Sequence, residues 1–118
     1  MIRIVRVYDE PQPGDGARVL VDRLWPRGLA KDAARIDLWC KDVAPFTELR
    51  RWYGHQPERF ADFTQRYRAE LDDPADRAAA DELRELAARG TLTLLTATKD
   101  LDLSHTVVLA PIIEQAAD

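Results

Sequence analysis

Two short stretches of this sequence collect residue types that bind charge and move protons. The first is Asp22, Arg23, Trp25, Pro26, Arg27 and Gly28. Pro26 fixes its own φ and restricts Trp25, so the turn is stiff. Two guanidiniums beside a glycine could hold a carboxylate or phosphate through paired N–H donors. The same residues could equally build a plain corner, with Asp22 capping backbone amides and Trp25 packed inward. The second stretch runs Thr96, Ala97, Thr98, Lys99, Asp100, then Ser104 and His105. Lys99 near a helix start offers an anion site, and an imidazole such as His105 titrates near neutrality. The alternative is that Asp100 and Ser104 are ordinary caps. Between the two stretches lie Trp39, Lys41, Arg50, Arg51, Tyr53 and His55. Arg50 falls in the first turn of an expected helix, a poor place for a cation unless an anion joins it.

Other chemistries lack their signatures. The sequence has no GxGxxG, GxxxxGK[ST] or HExxH motif, which sets aside nucleotide loops and zincins. Two histidines and one cysteine, at 40, 55 and 105, make a poor metal set, so neither metal nor cofactor is expected. Ser104 is the only serine and adjoins His105. Neighbours on a helix do not face each other, so the two are a poor nucleophile–base pair.

The elements that must position these residues follow from pattern. Ile2 to Tyr8 alternates apolar and charged residues and reads as a strand; Val19-Leu20-Val21 reads as a second, buried one. A helical turn is expected over 29–34, and 36–45 is irregular. Thr47 reads as an N-cap and Pro57 as a first helical position. Phe60, Phe63, Tyr67 and Leu71 form a stripe at helical spacing. Asp73 and Pro74 start another helix, with Ala79, Leu83 and Leu86 inward and Gly90 at its end. Thr91 to Thr96 is a third strand. A last helix from about Ser104 is bent near Pro111, with Val108, Ile112 and Ala116 on one side. Strands buried on both faces predict a small three-layer α/β domain over 1–118, its short sheet mainly parallel and flanked by helices. Ligands of such sheets bind beyond the carboxyl ends of the strands, where both polar stretches fall.

Composition narrows the partners. The 118 residues carry a formal net charge of −4, unevenly spread: residues 1–59 sum to +2 and 60–118 to −6. A net-acidic chain is a poor ligand for double-stranded DNA, which rewards neutralising many phosphates. No run approaches the ~20 apolar residues a membrane span needs. Arg3 and Arg6 interrupt the region where a signal peptide would be apolar, and one cysteine forms no internal disulfide; the cytoplasm is the expected compartment.

The stretches VLVDRLWPRG (19–28), APFTELRRWYGH (44–55), FADFTQRYRAEL (60–71), GTLTLLTATKD (90–100) and SHTVVL (104–109) together resemble the YeaO-like family, small bacterial proteins grouped as a domain of unknown function. The resemblance covers nearly the whole chain and implies an α/β domain. Matching positions are Asp22, Arg23, Trp25, Pro26, Arg27, Gly28, Trp39, Lys41, Pro45, Glu48, Leu49, Arg50, Trp52, His55, Lys99 and His105. The family pattern usually has serine at Phe46, tyrosine at Thr96, alanine at Thr98 and asparagine at Ser104. Those departures favour binding over any mechanism that needs the tyrosine or asparagine.

The reading is a basic cleft for a small phosphate- or nucleotide-like anion. Arg23, Trp25, Arg27, Lys41, Arg50, His55 and Lys99 are the candidate ligand-holding residues, and Asp22 and His105 the candidate acid and base. The alternative is an interaction module. In it Trp25, Trp39 and Trp52 with the arginines contact a protein or single-stranded nucleic acid.

Overall fold

A computed structural model describes residues 1–115, with Lys31 described by its backbone alone. Four strands form one sheet: β1 (Ile2–Arg6), β2 (Ala17–Leu20), β3 (Leu38–Trp39) and β4 (Leu92–Thr96), in the order β1-β4-β2-β3. Every pairing is parallel. Ile2 lies beside Leu92 and Arg6 beside Thr96, Ala17 beside Leu92 and Leu20 beside Leu95, Leu20 beside Trp39. The carboxyl ends Arg6, Leu20, Trp39 and Thr96 therefore share one edge. The fold is α/β.

The alternation along the strands sorts the core into two layers. Val19, Leu92 and Leu94 face a large apolar cluster with α2 (Thr47–Tyr53), α3 (Phe60–Glu70), α4 (Pro74–Arg89) and α5 (Thr106–Glu114). Leu20 and Leu95 face the opposite way, against Val7, Trp25, Leu29, Ile36 and Trp39. That second layer is thin: beyond the strands, its apolar residues come from Val7, from Ala97 and from the segments on either side of α1 (Lys31–Ala34). Beside it, Arg18 spans from Asp15 to the carbonyls of Ala34 and Arg35.

The helical stripe is observed as expected, with Phe63 and Tyr67 buried and Phe60 packed against the core. Asp73 caps α4, its carboxylate accepting from the Ala75 amide at 3.2 Å. Pro111 lies within α5, where it removes one backbone donor while the helix continues to Glu114. Ala116 lies outside the described residues.

Several local expectations change. The 36–45 stretch contains β3 and a 3-10 turn, Lys41–Val43; two strand residues are too few to show a period. Thr47 is helical rather than a cap, and the preceding Phe46 amide donates to Glu70 of α3 at 2.8 Å. A distant carboxylate thus replaces the local cap. Gly90 is extended, with φ of 168°, and leads straight into β4 instead of closing α4 in the left-handed region.

Candidate functional site

A cavity of about 370 Å³ opens at the carboxyl edge of the sheet. The turn after β2 forms one wall through Asp22, Arg23, Leu24, Trp25, Pro26 and Arg27. The helical layer forms the other through Ala44, Pro45, Arg50, Tyr53, His55 and Phe63, and the segments after β4 add Ala97, Thr98, Ser104 and His105. Tyr8 closes the rim, its hydroxyl donating to the Arg27 carbonyl at 3.0 Å.

The turn after β2 owes its shape to indole N–H groups that must be satisfied once half-buried. Trp25 donates to the Leu29 carbonyl at 2.9 Å, and Trp39 to the Asp22 carbonyl at 2.7 Å. The two indoles meet edge to face at 5.4 Å. Arg23 is anchored as well, donating to the carbonyls of Pro45 (3.1 Å) and Ala44 (2.9 Å). Two of the five guanidinium N–H donors are used there, which leaves the charge uncompensated by any carboxylate bond. Arg27 and Arg50 are exposed, and their side chains have no hydrogen bond or ion pair among the described residues.

Asp22 joins the two central strands at this edge. One carboxylate oxygen accepts from the Thr96 hydroxyl and the other from the Ala97 amide, both at 2.7 Å. Asp22 therefore does cap backbone, and it does so from the cavity wall. His105, at the start of α5, is 8% exposed and donates from Nε2 to the Val21 carbonyl at 2.8 Å. Its Nε2 is 3.7 Å from Asp22 Oδ1, so the two residues are neighbours that do not share a hydrogen bond. Burial holds His105 below the ordinary imidazole value; Asp22 and the Val21 carbonyl oppose the shift, and His55 adds to it. Burial thus favours the neutral ring.

Tyr53 and Phe63 stack at 4.4 Å and form the apolar side. The Tyr53 hydroxyl donates to the Leu103 carbonyl at 2.7 Å, tying α2 to the 3-10 turn before α5. His55 follows Gly54, and both have positive φ, 57° and 53°. That pair of left-handed residues turns the chain back over the cavity.

The structure thus gathers Asp22, Arg23, Trp25, Arg27, Arg50, His55 and His105 around one space. Lys41 and Lys99 stand outside it. The Lys41 ammonium lies 4.1 Å from the centre of the Trp39 ring. Lys99 lines a separate shallow depression with Arg6 and the acidic residues Asp9, Asp100 and Asp102. Sequence reasoning misses Tyr8 and Phe63 as cavity residues. Phe63 carries only the signal of a core stripe, and Tyr8 that of a strand end. Among the described residues no cluster of His, Cys, Asp and Glu could hold a metal ion. No described helix is long and apolar enough to cross a membrane.

Comparison with known proteins places the chain among relatives of matching length. It is 53% identical to an uncharacterised protein of Mycobacterium tuberculosis (strain H37Rv) over 112 residues, 95% of this chain and 92% of the relative. An uncharacterised Mycobacterium bovis protein gives the same figures. The uncharacterised protein YeaO of Escherichia coli (strain K12) is 39% identical over 109 residues, 92% of this chain and 93% of that one. No solved structure matches. A family model described as "Inactive DUF488-N3 subclade" matches residues 1–118. The cavity is accordingly carried by a chain that belongs to this YeaO-like, domain-of-unknown-function family.

Proposed function

We propose that the protein binds a small phosphate-bearing anion in the cavity at the carboxyl edge of its sheet. The observation behind this is the charge balance of the walls. Three guanidiniums, Arg23, Arg27 and Arg50, border the space against one carboxylate, Asp22, whose two oxygens already accept from Thr96 and Ala97. Arginine forks match phosphate and carboxylate geometry, and the volume is at the lower end of small-molecule sites, roughly 300–1,000 Å³. Recognition rather than turnover is the role we assign. Asp22 is engaged in holding two strands together, and the family's description as inactive accords with a retained pocket lacking chemistry. The compartment proposed is the cytoplasm, where the single buried thiol, Cys40, stays reduced.

A thermal-shift screen with inorganic phosphate, nucleotides and simple carboxylates tests this. A ligand that binds only the folded state at a hundredfold its Kd adds about 2.7 kcal/mol of stability. Phosphate compounds should raise Tm in the wild type, and Arg27→Ala should lose most of the rise while keeping its own ligand-free Tm. Equal shifts in both proteins, or none with any anion, would overturn the proposal.

A further inference from the structure

His105 brings its own hydrogen-bonding rule to the cavity it lines. His105 Nε2 lies 2.8 Å from the Val21 carbonyl oxygen, and a carbonyl has no proton to give. Nε2 must carry the hydrogen, so Nδ1 of the neutral ring is a bare acceptor. No described residue bonds to Nδ1. Nor does it belong with the enclosed, unpartnered polar atoms of the described residues, which are Arg6 Nε, Asp76 Oδ2 and Arg84 Nε. Nδ1 is therefore reached by solvent, on a residue that lines the cavity. The groups facing this ring are Asp22 from the turn after β2, His55 from the end of α2, and Tyr67 of α3 edge-on at 5.8 Å. Tyr67 gives its proton to the Val43 carbonyl, so it is no donor to the ring.

Size adds a second constraint. A space of about 370 Å³ holds on the order of a dozen waters at roughly 30 Å³ each, far more than one phosphate fills. Its apolar lining includes Tyr53 and Phe63, held together as a stacked pair.

Resting on the anion-site reading above, we infer that the ligand is a phosphate monoester of a single hydroxyl-bearing ring, of sugar size. Its phosphate lies toward Arg27 and Arg50, and one hydroxyl donates to His105 Nδ1. The donor requirement is the new element, since the arginines alone would accept any anion.

Three probes separate the two readings: inorganic phosphate, cyclopentylmethyl phosphate, and methyl ribofuranoside 5-phosphate, each titrated calorimetrically. Both esters should bind tighter than phosphate. The ribofuranoside should exceed the cyclopentyl ester by about tenfold, the worth of one net hydrogen bond. In His105→Phe the two esters should become equal. A readout in the intact protein guards against misfolding of that variant. With each ester bound to the wild type, 15N NMR of the ring should show Nδ1 shifted upfield by the ribofuranoside, as for a nitrogen that accepts a hydrogen bond, and not by the cyclopentyl ester. Equal affinity of the two esters in the wild type, or an Nδ1 resonance that both esters leave alike, overturns the donor inference and leaves the anion site standing. Binding of none of the three overturns both.

Discussion

Asp76 sits in the first turn of α4, 3% exposed, with Oδ2 unpartnered among the described residues. Burial raises its carboxyl from 3.8 to about 6; the Asp73 carboxylate adds to the rise, and Arg23 opposes it. The folded chain thus holds this proton more tightly than the unfolded chain does. The stabilisation it supplies is complete below 3.8 and is lost as pH rises through about 6. Asp76→Asn should therefore stabilise the protein near pH 7.5, by about 3 kcal/mol at most, and by only about a third of that near pH 4.5. Urea denaturation at the two pH values checks the sign; destabilisation near pH 7.5 would refute it. Nothing in the local sequence hints at this burial. An aspartate two residues after a helix-starting proline reads as a solvated residue favoured by the helix dipole. Arg27 and Arg50 are legible for the converse reason: their chemistry is local, and only their meeting place is tertiary. Lys99 shows the limit, since a cation after β4 can face either side of the strand end.

At the scale of elements, the register of β2 against β4 depends on one glycine. Gly16 has φ of +63°, and a Cβ built there would lie 2.2 Å from the Thr91 carbonyl oxygen and 2.9 Å from its carbon. Both atoms are backbone, and the adjacent Ala17 amide donates to that same oxygen at 3.0 Å. A side chain at 16 must push the two strands apart where their pairing begins. Gly28 has a similar φ, +73°, but a methyl group added there would meet no atom within 4 Å. Gly16→Ala should cost well over ~2 kcal/mol, and Gly28→Ala about 1 kcal/mol from conformation alone. Comparable Tm losses for the two variants would show that the close approach is not what demands Gly16. Elements with many residues in period are readable: the Phe60–Leu71 stripe and the buried β4 announce themselves. The two-residue β3 does not, because the Leu20–Trp39 pairing that defines it joins residues 19 apart. The start of α2 escapes pattern reading for a related reason, as Glu70 meets the Phe46 amide from another helix.

The whole molecule sets what can approach the cavity. Parallel pairing brings all four carboxyl ends to one edge, so the polar residues after β2 and β4 meet there although 75 residues separate Asp22 from Ala97. Three-layer logic makes this edge legible in the sequence. The half-buried tryptophans do not combine into one surface. Trp25 and Trp39 pack in the thin layer, while Trp52 packs with the helices across the sheet, beneath the guanidinium of Arg66 at 4.1 Å. The cavity is bordered by three guanidiniums and one carboxylate, while α4 presents Asp81, Glu82 and Glu85 to solvent among Arg77 and Arg89. A duplex laid across such a body would meet carboxylates as well as arginines. Non-specific DNA binding typically has Kd of roughly 10⁻⁴–10⁻⁶ M and weakens steeply with salt. For this protein, fluorescence anisotropy with a labelled duplex of about 20 base pairs at ~150 mM salt should show affinity no better than the weak end of that range. Micromolar binding with a steep salt slope would mean that the arginines form an extended strip. A focused site instead keeps its affinity for a compact phosphate while rejecting the polyanion, because the acidic surface repels only what is large enough to reach it.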